Sequence, residues 1–231
     1  MKRVKSLFWR IVLALFVMLV LYQLWLFAHV CWWIKFNPAT SAFMEDRLEV
    51  MQNKNPKAAL QYKWTNYENI SNNLKRALIA AEDAKFVDHE GFDWEGIQLA
   101  YEKNKRKGKI VAGGSTISQQ LAKNLFLSTK RTPWRKGEEA IITLMLEAMM
   151  DKQRIFEIYL NVIEWGDGVF GAEAAARHYF DISASQLSPE QAARLAAMVP
   201  NPRYYDRHRD ASGMLAQTMV ILNRMNDADI P

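Results

Sequence analysis

The hydrophobic pattern of the chain has one long uninterrupted stretch, and it comes first. Between Arg10 and Lys35 lie 24 residues, Ile11 to Ile34, without a charge. At ~1.5 Å rise per residue such a helix exceeds the ~30 Å hydrocarbon layer of a bilayer. The stretch is too long for the apolar region of a cleaved signal peptide, it lacks an A-x-A-like cleavage site, and Ala28-His29-Val30-Cys31 does not form a lipoprotein signal. A retained transmembrane helix over 11–34 is expected. Lys2, Arg3, Lys5 and Arg10 precede it, so the positive-inside rule places the basic tail 1–10 in the cytoplasm and everything after Lys35 outside. Trp32 and Trp33 suit an aromatic belt at the outer interface.

The pattern then loosens. Residues 35–65 mix Pro38, Asn53, Asn55 and Pro56 with charges and isolated aromatics, and read as a stalk and lead-in. From about residue 70 the apolar positions recur at helical spacing: Ile70, Leu74, Ala77, Leu78 and Ala81 make one face. A second helix is expected from Asp93, a suitable N-cap, to the cluster Lys103–Gly108. A third opens after Gly113-Gly114, where Thr116 and Gln119 have capping-box spacing. Residues 139–160 read as a long apolar helix or helix pair, and 189–199 as another. Period-two patterning is confined to short pieces such as Lys109-Ile110-Val111. The expected fold class is mostly α, with one globular domain over 66–231.

Charge changes this picture only locally. The formal net charge is +5, but residues 1–35 hold five Lys/Arg and no acid, so the remainder is neutral overall and the balance gives no support to nucleic-acid binding. Residues 101–136, however, carry ten Lys/Arg against one acid, Glu102. Such a field suits an anionic ligand or an anionic membrane surface. The only cysteine, Cys31, lies in the apolar stretch, which excludes an intramolecular disulfide and a Cys-based metal site.

Three stretches could carry chemistry. Glu82–Gly91 packs five ionisable groups and a His around Phe86 at a helix end. It is either a solvated turn or a place where a shielded carboxylate has the raised pKa of a general base. Gly113–Lys123 is a small-residue turn entering a helix, which is either an ordinary cap or a site whose amides and Lys123 meet a phosphate-like anion; the Gly-Lys-Ser/Thr ending of a P-loop is missing. Arg131, Arg135, Lys136 and Glu139 form either surface ion pairs or a pyrophosphate grip beside a second acid. His29, His178 and His208 have no zinc-ligand spacing.

In this order the stretches resemble glycosyltransferase family 51, the peptidoglycan polymerases. The family's E-D-x-x-F-x-x-H-x-G is matched by Glu82, Asp83, Phe86, His89 and Gly91, its G-[GA]-S-T-I-x-Q-Q by Gly113 to Gln120, and its R-K-x-x-E by Arg135, Lys136 and Glu139. Arg154–Asn161 with Gly166 and Gly168 is a fourth match, and Ala196–Pro202 a fifth, while Phe156 stands where Leu is usual and Gln191 and Arg194 where an acid and an apolar residue are common. Five ordered motifs over residues 82–202 are far more specific than any one of them. The chain is similar to the monofunctional branch, because it ends soon after the fifth motif and no S-x-x-K of a penicillin-binding transpeptidase occurs.

The resemblance implies a lysozyme-like helical head with a smaller membrane-facing jaw, to which residues ~107–140 contribute. It implies polymerisation of lipid II into β-1,4-linked glycan with release of undecaprenyl pyrophosphate, at the inner membrane with the catalytic domain periplasmic. By resemblance Glu82 is the base on the acceptor hydroxyl and Glu139 lies near the leaving group. Lys123, Arg131, Arg135 and Lys136 then stabilise the growing negative charge. Asp83, Phe86, His89, Ser115, Thr116, Gln119 and Gln120 complete the expected substrate contacts, whereas Glu157, Tyr159 and Asn161 are expected to hold helices around the cleft. No cofactor is required by the sequence and no all-carboxylate metal cage is visible, though the resemblance allows a divalent cation, Mg or Mn, at the pyrophosphate. Expected partners are lipid II, the nascent strand, the membrane and proteins of cell division or elongation. The competing readings are a lysozyme-like glycan-cleaving enzyme, since paired carboxylates also suit glycoside cleavage, and a non-catalytic anchored scaffold.

Overall fold

The computed structural model describes residues 2–109, 113–129 and 133–231. Ile110 and Val111 of the expected short strand, and Arg131 of the expected pyrophosphate grip, lie outside the described residues. The chain divides into two compact units, Met1–Asn37 and Pro38–Pro231. The first is the helix α1 (Lys2–Trp33), of which Lys5–Trp33 is long and apolar enough to cross a membrane. Within it the rings of Tyr22 and Trp25 stack at 6.2 Å, and His29 Nδ1 pairs with the Trp25 carbonyl at 2.9 Å.

The second unit is helical with one small sheet. The lead-in is more than a stalk: Ser41 caps α2 (Ala42–Gln52) through the Met44 amide, and α2 packs on α5. Two residues of β1 (Gln61–Tyr62) follow. Ser71 caps α3 (Asn72–Glu82), whose expected apolar face buries Leu74, Ala77 and Leu78 completely. Asp93 caps α4 (Trp94–Lys107) by accepting the Gly96 amide at 2.9 Å, and Gly108 ends it in the left-handed region at φ 63°. Thr116 and Gln119 make both bonds of the capping box that opens α5 (Ile117–Phe126). The long apolar stretch is a helix pair, α6 (Pro133–Met149) and α7 (Lys152–Val162), because Asp151 leaves the helix and caps α7 through the Arg154 amide at 2.7 Å.

Next come β2 (Glu164–Gly166), β3 (Val169–Phe170), α8 (Ala172–Phe180), α9 (Pro189–Met198), α10 (Pro202–Arg207) and α11 (Ser212–Arg224). The sheet order is β1-β3-β2, with β1 parallel to β3 (Gln61 opposite Val169) and β2 antiparallel to β3 with a bulge between Glu164 and Gly166. These strands are too short for alternation to show in the sequence.

Two packed groups frame the site. Helices α3, α9 and α11 contact one another, and α5 lies against α2, α6 and α7. Phe86, Phe156, Tyr159 and Trp165 are fully buried between them, each removing enough apolar surface to stabilise the fold by about 1.5–3 kcal/mol. Phe156 meets Phe86 at a ring separation of 5.5 Å. An aromatic at this position therefore fills space against the first motif. Asn161 closes the frame by accepting the Thr65 amide at 2.8 Å and donating to the Thr65 carbonyl at 2.9 Å, a side chain pairing as a strand would.

Candidate active site

Glu82 is the last residue of α3, and the chain turns sharply after it. What turns it is Asp83. The Asp83 carboxylate is buried and accepts the Ile117 amide at 2.9 Å, so its charge sits on the first turn of α5, where exposed amides and the helix dipole favour an anion. His89 Nε2 donates to the same carboxylate at 2.9 Å. Phe86 plugs the turn into the core with Lys152 Nζ 4.6 Å above its ring. Gly91, at φ 86°, presents its carbonyl to Thr116 Oγ1 at 2.7 Å, and a Cβ there would come within 2.8 Å of Thr143. The first and second motifs are thus clasped together, and the clasp aims Glu82 away from the core.

The same contacts account for the placing of several of the expected substrate-binding residues. Asp83 bonds the Ile117 amide and His89 Nε2, while the buried His89 Nδ1 has no hydrogen-bond partner among the described residues. Phe86 is closed from solvent, and Thr116 and Gln119 are buried in the capping box. Asp83 and Thr116 nonetheless border the small hollow that Glu82 and Ser115 also line. Ser115 is exposed at the mouth of the α5 N-terminus, 3.4 Å from Lys136 Nζ.

Gln120, one turn into α5, donates from Nε2 to Glu82 Oε2 at 2.7 Å, and Tyr159 Oη donates to Gln120 Oε1 at 2.9 Å. Tyr159 had no local signal connecting it to the site. The contact joins residues 39 positions apart and exists only because α5 and α7 pack. Burial raises the Glu82 carboxyl above the ordinary carboxylate value. Its bond from Gln120 and the charge of Lys123 oppose the rise, while Asp83 adds to it. Burial likewise lowers Lys123, opposed by Glu139 and Glu82 and reinforced by Arg135 and Lys136. Lys123 therefore lies in the field of both carboxylates. Glu139 is buried on α6 and paired to Lys136, and its neighbour Arg135 stands on the same helix.

Space for a ligand exists on both sides. Gln120 and Lys123 line a cleft of about 630 Å³ that continues along α2 past Phe43, Arg47 and Val50 to Glu164 and Arg203. Glu82 and Ser115 line a smaller hollow of about 180 Å³. The α2 wall was not foreseen, since nothing in residues 42–52 carries a motif. Among the described residues no three His, Cys, Asp or Glu side chains converge as metal ligands, so the donor set does not form a protein cage for a divalent ion.

A partly shielded carboxylate at a helix end, a lysine in the field of a second acid and an adjoining polar cleft are an arrangement suited to general acid/base chemistry beside an anion. The comparisons with known proteins agree with this geometry. A family model described as Transglycosylase matches residues 49–226. The chain is 67% identical over 228 residues to the biosynthetic peptidoglycan transglycosylase of Methylobacillus flagellatus, covering 99% of this chain and 100% of that protein. It is 66% identical to the protein of the same name from Laribacter hongkongensis, over 95% and 96% of the two chains, and 62% identical to that of Chromobacterium violaceum, over 96% and 97%. With the match spanning most of the chain and every motif of the site inside it, this protein belongs to the transglycosylase family.

Proposed function

We propose that the protein polymerises lipid II into β-1,4-linked glycan strands for the bacterial cell wall, releasing undecaprenyl pyrophosphate. The observation that carries this reading is that Glu82 is held by Gln120 of α5 and that Lys123, one turn further along α5, lies in the field of both Glu82 and Glu139. Glu82, kept from solvent on most sides, takes the proton from the acceptor 4-hydroxyl as that oxygen attacks the anomeric carbon of the growing strand. The pyrophosphate departs from the opposite face, and direct displacement converts an α-linked donor into a β linkage. Lys123, Arg135 and Lys136 meet the charge that grows on the pyrophosphate, and Glu139 holds Lys136 in place for it.

The membrane setting supports the same reading. Lys5–Trp33 suits a single-pass anchor with its basic tail in the cytoplasm and the catalytic unit periplasmic at the inner membrane. On α4, Trp94, Leu99 and Tyr101 are exposed just before the basic run Lys103–Lys107, and Trp134 and Leu144 are exposed on α6. Apolar side chains beside lysines fit an anionic bilayer surface, where a lipid-linked substrate is presented.

The test is incubation of detergent-solubilised protein and of Glu82→Gln with labelled lipid II, with muramidase digestion of the products. Muramidase-sensitive polymer is expected from the parent, and a loss of about 10²-fold or more from the variant. Cleavage of preformed glycan without polymer would transfer the assignment to a hydrolase, and absence of both activities to a scaffold.

A further inference from the structure

We propose that Tyr159 is a positioning residue for Glu82, acting through Gln120: its hydroxyl fixes the Gln120 amide so that an N–H, and not the carbonyl oxygen, faces the carboxylate. The proposal rests on the reading of Glu82 as the base.

An amide side chain can present either end. Its two ends are nearly equal in shape and opposite in hydrogen-bonding sense. Gln120 stands between a buried hydroxyl whose hydrogen it receives and an ionised carboxylate that only accepts. Tyr159 is fully buried on α7, and its hydroxyl donates to Gln120 Oε1 at 2.9 Å; Gln120 Nε2 then donates to Glu82 Oε2 at 2.7 Å. Reversing the amide would strand the buried hydroxyl hydrogen and would turn a carbonyl oxygen toward Glu82. A carbonyl is tolerated there only when the carboxyl is protonated, the form that cannot act as a base. The main chain at Gln120 does not move to compensate, because α5 is capped at Thr116 and the Gln120 carbonyl accepts Asn124 Nδ2 at 2.7 Å. The relay therefore runs in one direction and ends on the ionised base.

Other charges facing Glu82 are Asp83 beside it at the end of α3 and Lys123 from α5, with Glu139, Arg135 and Lys136 of α6 acting on Lys123. The phenol of Tyr159 is pushed well above its ordinary value by burial, next by Glu82 and Asp83, so it remains a donor wherever the enzyme works.

The experiment is the pH dependence of lipid II polymerisation by the full-length protein and Tyr159→Phe, with folding followed by circular dichroism. The acid limb of Tyr159→Phe is expected to move to higher pH, seen as a roughly threefold or greater loss on the limb with the alkaline plateau within about twofold of the parent. A purely packing role would lower the rate by the same factor at every pH. That outcome, or an unmoved limb, overturns the proposal. Should the Phe variant not fold, 3-fluorotyrosine at position 159 keeps the ring and strengthens the donor; its limb is expected to move to lower pH, and an unmoved limb overturns the proposal equally. Glu82→Gln is run alongside. Polymerisation retained by it removes the base reading and the relay together, whereas polymerisation lost by it with an unmoved Tyr159→Phe limb removes the relay alone.

Discussion

At the scale of single residues, the site holds charges where the fold would rather not have them. Burial favours the neutral form of Glu82, and the Gln120 bond and Lys123 only partly offset it. The sign of the consequence follows directly. A carboxyl raised in the folded state is harder to ionise there, so the ionised form costs stability once pH exceeds the folded value. That cost vanishes below the unfolded value. Activity has the opposite requirement, since the base must be ionised. The acid limb of the rate profile is therefore expected above the ordinary carboxylate value of 4.5, and Glu82→Gln, which removes the ionised group, is expected to melt no lower than the parent at neutral pH. A limb at or below the ordinary value, measured with saturating lipid II, would count against Glu82 as the titrating base. Glu82, Glu139 and Lys123 were named from the sequence because the motifs they match contain them. The environment that tunes them was not, because it is assembled by Tyr159 and Asp83 across helices.

At the scale of elements, the caps decide where the functional side chains point. Each of Asp93, Thr116 and Asp151 was a readable start signal or lies where one is needed, and each accepts an amide of its own helix. Thr116 has a second task, donating to the Gly91 carbonyl and so clasping the turn behind Glu82 to the start of α5. Thr116→Ala removes both bonds. It is expected to cost about 1–3 kcal/mol in urea unfolding and to lower polymerisation through misplacement of Glu82 and Gln120. Thr116→Ser keeps the hydroxyl and is expected to recover most of both. Equal loss in the two variants would show that the methyl rather than the hydroxyl matters. Helices α3 to α7 and α9 were legible from spacing and caps, whereas α2, α8, α10 and α11 and the strands β1, β2 and β3, of two or three residues each, were not. What defines these strands is pairing with others over a hundred residues away, as between Gln61 and Val169.

At the scale of the whole molecule, exposed aromatics and lysines share α4, and the lipid-linked substrate ties chemistry to a surface. Trp94→Glu places a charge where an exposed indole stands. It is expected to lower polymerisation of lipid II in anionic vesicles several-fold while leaving the rate in detergent micelles nearly unchanged. Equal loss in both media would place Trp94 in the fold or the chemistry instead. Segment 35–65 was the least legible part of the chain at this scale. Its polar composition hid α2, whose Phe43 and Arg47 form a wall of the larger cleft, because a helix packed on only one side needs few apolar residues.

The packing of α3 also has a bearing on time. The helix that ends in Glu82 is held by α9 and α11, whose residues follow it by more than a hundred positions. Contacts so remote in sequence form late, after the loop between them has been closed. A ribosome that has made only the first three motifs has made every side chain proposed for catalysis, yet the base still lacks the helices that hold it. The helix that carries Glu82 thus gains its packing only when α9 and α11 arrive, and the same late stretch brings Arg203 to the wall of the larger cleft.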